Sequence, residues 1–184
     1  MAHVCPWWLG YFLISPLRRR SQDPAAILAP WIHEGMTVLE PGPGMGWFTL
    51  ELARLAGPAG RVVAVDIQPR MLDSVKRRAA KRGLADRVET RLARPDSLGV
   101  ADLASAFDFV LAFAMVHERP SAARFFVECA AALRPGGSLL LAEPKGHVKA
   151  SVFAAELEAA AAAGLNVASR PEIARCHSAL LRRM

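Results

Sequence analysis

The chain has 184 residues, of which 53 % are hydrophobic and 22 % charged, a balance that excludes a disordered polymer and suffices for one domain with a full core. The formal charge of +6 is spread over several helix faces, with Arg18-Arg19-Arg20 and Lys76-Arg77-Arg78 as the tight runs. A solvated surface explains it more simply than a nucleic-acid site, which stays open but unfavoured.

Three cysteines (Cys5, Cys129 and Cys176) lie far apart without metal-type spacing, which argues against a disulfide framework or a metal site and for a reducing, cytoplasmic setting. Residues 4–17 are rich in Trp, Leu, Phe and Ile, yet Pro6, Gly10 and Pro16 interrupt them. They fall short of the roughly 20 apolar residues of a spanning helix. We read residues 1–34 as a lid over a substrate, with a membrane-surface or dimer contact as the alternatives, and residues 35–184 as the main domain.

Asp23 and Pro24 are placed to start a helix that runs to Trp31. Met36 to Glu40 reads as a buried strand, and Gly46 to Ala56 as a helix with Phe48, Leu52 and Leu55 on one face. Arg61 to Asp66 is a second strand, and Pro69 to Arg82 a helix closed by Gly83. Val88 to Leu92 is a half-polar strand, and Val100 to Ala104 a short helical turn. Phe107 to Phe113 is a strongly apolar strand, followed by an amphipathic helix from Ser121 to Leu133 that Pro135-Gly136-Gly137 stops. Ser138 to Ala142 is the fifth strand, Val152 to Ala163 an Ala-rich helix, and Asn166 to Ser169 and Cys176 to Leu181 two closing strands. Alternating helices and continuous apolar strands define the class: α/β, doubly wound and Rossmann-like, mostly parallel.

In such a sheet the ligand lies beyond the C-terminal strand ends. Here those ends carry Glu40, Asp66, Phe113 and Glu143. Gly42, Gly44 and Gly46 keep side chains away from a ligand after the first strand. Asp66 follows the last of them by about the 20 residues expected of an acid that accepts hydrogen bonds from a ribose diol. Glu40 places a negative charge where a pyrophosphate would otherwise lie, so the site suits a cation better than a dinucleotide. An ordinary acid at a helix N-terminus is the plainer alternative for Glu40.

Leu-Glu-Pro-Gly-Pro-Gly-Met-Gly, Val-Val-Ala-Val-Asp, Phe-Asp-Phe-Val-Leu-Ala and Leu-Arg-Pro-Gly-Gly-Ser-Leu-Leu-Leu-Ala-Glu-Pro together resemble the class I S-adenosylmethionine-dependent methyltransferases. The likeness is to the small single-domain type related to ubiquinone/menaquinone-biosynthesis methyltransferases. It implies seven strands with the last antiparallel, S-adenosyl-L-methionine as cofactor and S-adenosyl-L-homocysteine as product. It further implies that Glu40 and the glycines hold the methionine portion, while Asp66 and Ile67 hold the ribose side. The acid that the family carries after the third strand is replaced by Arg94. Asp96 and Ser97 are therefore the expected adenine-side residues, unless backbone and apolar contacts at 93–97 serve instead or the pair caps a helix. Phe113 and Trp47 are expected walls or core.

His117 is the candidate general base by residue type, or a bracing loop residue. Tyr11, Arg18, Glu143 and Lys145 are the expected substrate contacts, with Lys145 and His147 placed either to bind an anion or to be solvated. The expected reaction is methyl transfer to a small, partly apolar molecule. The alternatives are an RNA or protein methyltransferase, for which the Asn/Asp-Pro-Pro-aromatic signature is missing after the fourth strand, and a cofactor-binding protein without turnover.

Overall fold

A computed structural model describes residues 22–184. Seven strands form one sheet: β1 (Thr37–Pro41), β2 (Arg61–Asp66), β3 (Val88–Leu92), β4 (Phe107–Phe113), β5 (Leu133–Pro144), β6 (Leu165–Ser169) and β7 (Cys176–Arg183). Their spatial order is β3-β2-β1-β4-β5-β7-β6. β7 is antiparallel to both its neighbours, β5 and β6, while the pairs from β3 to β5 are parallel. This is the expected doubly wound sheet with its last strand reversed.

Among the described residues five α-helices cover it: α1 (Pro24–Leu28), α2 (Thr49–Leu55), α3 (Pro69–Lys81), α4 (Ala122–Ala132) and α5 (Ala150–Ala162). Period-two alternation divides the apolar strand residues between two faces. Val38, Val62, Phe109 and Leu111 pack with Leu28 of α1, with Ile32 and Phe48, and with Leu52 of α2. Leu39, Val63, Val110 and Leu141 pack with Phe125 and Phe126 of α4 and Phe153 of α5. The chain leaves β1 for β2 on one side and later returns to β4 on the other, so the crevice opens between the ends of β1 and β4.

Among the boundaries that differ from expectation, two have a backbone reason. α2 begins at Thr49, not Gly46, because Gly46 has φ +82°, outside the helical region. β5 begins at Leu133, because Pro135-Gly136-Gly137 does not end the segment but bulges within it. Phe107 faces Leu133 and Phe109 faces Ser138, so five steps along β5 match two along β4. α1 also stops at Leu28, with residues 29–31 forming a turn.

Gly60 carries the tight approach of α2 to β2. A β-carbon there would lie 2.6 Å from the Ala56 methyl carbon and against the Ala56 backbone. Gly60→Ala is therefore predicted to destabilise the protein by about 1–3 kcal/mol, the usual cost of overpacking. Urea unfolding at neutral pH measures it; an unchanged midpoint would show that the loop shifts without cost.

Candidate active site

The loop after β1 is held from two directions. The Gly42 amide donates to the Val65 carbonyl at 2.8 Å, and the Arg78 guanidinium of α3 donates to the Met45 carbonyl. Gly42 has φ +66°, and a β-carbon on it would stand 3.1 Å from Met115 Cβ. Glycine is required there both by conformation and by space. A β-carbon on Gly44 would meet nothing within 4 Å, so the loop faces open space at that point.

Glu40 and Asp66 stand at the ends of adjacent strands, and both are buried. Glu40 is 3 % exposed, and its Oε2 has no hydrogen-bond partner among the described residues. Burial, with repulsion from Asp66 added and the Thr49 hydroxyl opposing, pushes its pKa up to about 8. Asp66 accepts a hydrogen bond from the Gln68 amide at 2.8 Å. Burial pushes it up to about 6, against the amides of Gln68, Ile67 and Gly44, which favour the charged form. The crevice therefore holds two carboxyls that are poorly solvated and short of positive charge. A cation placed beside such groups favours their ionised forms.

That donor set fits the cofactor implied by the sequence. Glu40 offers a buried acceptor to a cationic group, Asp66 has oxygens for a diol, and no side chain projects from Gly44 into the space between. Ile67 is half-buried beside Asp66. Phe113 is buried, and its ring centroid lies 4.4 Å from that of Phe48.

At the ends of β4 and β5 a second cluster forms. Glu143 is fully buried and accepts hydrogen bonds from the amides of Met115 (3.3 Å) and Val116 (2.7 Å). Its other oxygen bonds Nδ1 of His117. The hydrogen bond to Glu143 raises the His117 pKa against the effect of burial, and Glu118 and Glu156 add to the rise. Glu143 was expected at the substrate; enclosed in this way, it orients His117 instead.

Glu156 of α5, which sequence reasoning missed, is buried beside this pair, with Oε2 unpartnered among the described residues. Burial, then repulsion from Glu143, pushes it up to about 7, with His117 opposing. The signal lay in its place between Phe153 and Ala160, on the buried face of an otherwise Ala-rich helix.

The other sequence candidates separate. The Asp96 carboxylate is 60 % exposed and lies 3.6 Å from the Arg124 guanidinium. The Ser97 hydroxyl donates to Glu128 of α4 at 3.3 Å and accepts from the Gly99 amide at 3.2 Å. These side chains tie a turn to α4, so backbone and apolar contacts at 93–97 fit the adenine side better than their polar atoms do. Lys145 is exposed, and its amide donates to the Arg175 carbonyl at 2.9 Å. Tyr11 and Arg18, with the other candidates of the leader, lie outside the described residues.

Two outcomes are predicted. Because the neutral form of Glu40 is favoured in the fold, its contribution to stability is present below the usual carboxylate pKa and is lost as pH rises through about 8. The stability of Glu40→Gln relative to the parent should therefore improve from pH 6 to pH 8.5 in urea unfolding; a constant difference would contradict this. Glu143→Gln should lower the His117 pKa, since a neutral amide stabilises imidazolium less than a carboxylate does. An NMR titration of the imidazole signals measures it, and no change would mean that Glu143 does not govern the ring.

The sequence pattern of the family described as Methyltransferase domain matches residues 38–137, from β1 into β5. Among curated proteins, the ubiquinone biosynthesis O-methyltransferase of Methylocella silvestris is 34 % identical over 126 residues, which is 68 % of this chain and 46 % of that protein. The arsenite methyltransferase of Halobacterium salinarum is 34 % identical over 118 residues, 64 % of this chain and 28 % of that protein. The chain thus spans less than half the length of these two relatives. A crystal structure of a SAM dependent methyltransferase from Aquifex aeolicus superposes with a TM-score of 0.87 at 23 % identity, covering 98 % of this chain and 100 % of that one. With the matched segment covering more than half of the sequence and the glycine loop and both strand-end acids inside it, the chain belongs to the class I S-adenosylmethionine-dependent methyltransferase family.

Proposed function

We propose that this protein transfers a methyl group from S-adenosyl-L-methionine to a small, partly apolar acceptor. The observation that carries the reading is the buried, unpartnered oxygen of Glu40 at the sheet's switch point. A pyrophosphate would add negative charge there; a cationic cofactor removes the cost of burying the carboxylate. When bound, S-adenosyl-L-methionine supplies an electrophilic methyl group carried on a positively charged sulfur.

The chain's own residues supply the positioning on which such a displacement depends. Gly42, Gly44 and Gly46 keep the loop free of side chains, Glu40 accepts from the cationic methionine portion, and Asp66 accepts from the ribose hydroxyls. Ile67 and the backbone at 93–97 flank the base, and Phe113 backs the cleft. At the acceptor side, Glu143 takes Nδ1 of His117, which leaves Nε2 as the ring nitrogen able to take a proton from the acceptor. The same carboxylate stabilises the imidazolium that would form. Because Glu143 raises the His117 pKa, base-dependent turnover should rise with pH until that raised value is passed.

Residues 1–34, with Tyr11 and Arg18, are the proposed cover of the acceptor, and Lys145 is the proposed polar contact. Small acceptors accord with the names of the two curated relatives, a ubiquinone biosynthesis enzyme and an arsenite methyltransferase. The cytoplasm is the proposed compartment, in keeping with the free thiols of Cys129 and Cys176. No helix among the described residues is long and apolar enough to cross a membrane.

Isothermal titration with S-adenosyl-L-homocysteine tests the reading. The parent protein should bind, and Asp66→Ala should bind about tenfold more weakly or worse, the scale of losing charge-assisted hydrogen bonds. A folded parent that does not bind, or an Asp66→Ala variant that binds equally well, would overturn it. Once an acceptor is identified, His117→Ala should lower turnover by about 10²–10⁴-fold without changing cofactor affinity.

A further inference from the structure

A cleft of about 810 Å³ lies between α5 and the segment that joins β6 to β7. Its floor is apolar, with Phe153 and Leu157 on the helix side and Ile173 on the loop side. Its rim carries three permanent cations, Lys145, Arg170 and Arg175, against one anion, Glu172. All three cations are exposed, and none of them is ion-paired with a described residue. With Glu172 as the one anion among the lining residues, the rim of this apolar cavity carries an excess of positive charge.

The backbone holds this arrangement at a cost. Arg175 has φ +63°, a left-handed conformation that disfavours any side chain bearing a β-carbon. Two hydrogen bonds keep it there: its carbonyl accepts from the Lys145 amide at 2.9 Å, and the next residue's amide donates to the Ile173 carbonyl at 3.0 Å. Two of the three rim cations are thereby tied together through the main chain.

The cleft also adjoins the His117–Glu143 pair. His177 lines it and is the register partner of Glu143 across β5 and β7, and its ring lies 5.4 Å from that of Phe153. β4, which leads to His117, is two strand spacings from β7, about 10 Å.

We propose that this cleft binds the far end of the methyl acceptor, and that the acceptor is an amphiphilic acid. Its apolar body lies over Phe153, Leu157 and Ile173, and its carboxylate or phosphate is held by Arg170, Arg175 and Lys145. The placement of the reacting atom rests on the methyl-transfer reading; the anion site itself does not.

The test uses the full chain, with octanoate and octyl phosphate as acidic probes, octanamide as the neutral control and inorganic phosphate as the anion without an apolar body. Amide NMR shifts locate binding, and a parallel titration with S-adenosyl-L-homocysteine reports the cofactor site. The acidic amphiphiles should shift Ile173, Ala174 and Ser178, and bind at least tenfold more tightly than octanamide and than inorganic phosphate. Arg170→Glu/Arg175→Glu, and separately Lys145→Glu, should weaken octanoate tenfold or more and leave the homocysteine product's affinity unchanged.

Equal binding of octanamide, equal binding of inorganic phosphate, shifts outside the cleft, or indifference to charge reversal would each overturn the proposal. So would binding to phosphatidylglycerol vesicles without response to the free acids, which would make the rim a lipid-surface contact. Loss of cofactor-product binding in the parent, with octanoate still seated in the cleft, would sink the methyl-transfer reading and leave the anion site standing.

Discussion

A carboxylate buried without a positive partner is among the costlier features a small domain can carry, and this one carries it at Glu40. The rest of the site is arranged so that the cost is met by a ligand and not by the fold. Asp66 stands on the next strand and adds repulsion; it does not relieve it. The glycine loop passes in front, fastened by the Val65 carbonyl and by Arg78, yet the Arg78 charge is spent on the Met45 carbonyl and not on Glu40. A protein selected only for stability would place an amide or an apolar residue at that strand end. Retaining an acid there makes sense when a cation completes the environment.

The other half of the crevice follows a different principle. Glu143 is buried as deeply as Glu40, but two backbone amides and His117 satisfy it. One carboxyl waits for a ligand, and the other is spent on aiming a side chain. α5 links this half to the outer edge of the sheet. Glu156 faces the His117–Glu143 pair, while Phe153 and Leu157 face the cleft beside β7. The reacting end of an acceptor and its distal end would thus be read by neighbouring side chains on one face of a single helix.

Much of this architecture could be read from residue order, because it rests on local rules. β2, β3 and β4 run between the residues expected: β2 and β4 are apolar runs, and β3 is shorter and half-polar, as its place at the edge of the sheet allows. The loop and its two acids were recognisable from spacing alone. What was hidden depends on contacts between distant residues. The bond from His117 to Glu143 spans 26 residues and turns an expected substrate contact into an orienting one. Asp96 and Ser97 have the composition of a ligand-lining turn, and only their partners Arg124 and Glu128 on α4 show where their side chains are committed. The late start of α2 and the bulge in β5 both follow from glycine backbone angles, which composition suggests but does not assign.

Burial favours the neutral form of Glu40 in the free protein, and a cationic cofactor favours its ionisation. Calorimetric titration of S-adenosyl-L-methionine at pH 7, in buffers of different ionisation enthalpy, tests it directly. Binding should release protons, shown by a heat that varies with the buffer, and Glu40→Gln should markedly reduce that release. A binding heat independent of the buffer in the parent protein, or the same release in Glu40→Gln, would contradict it.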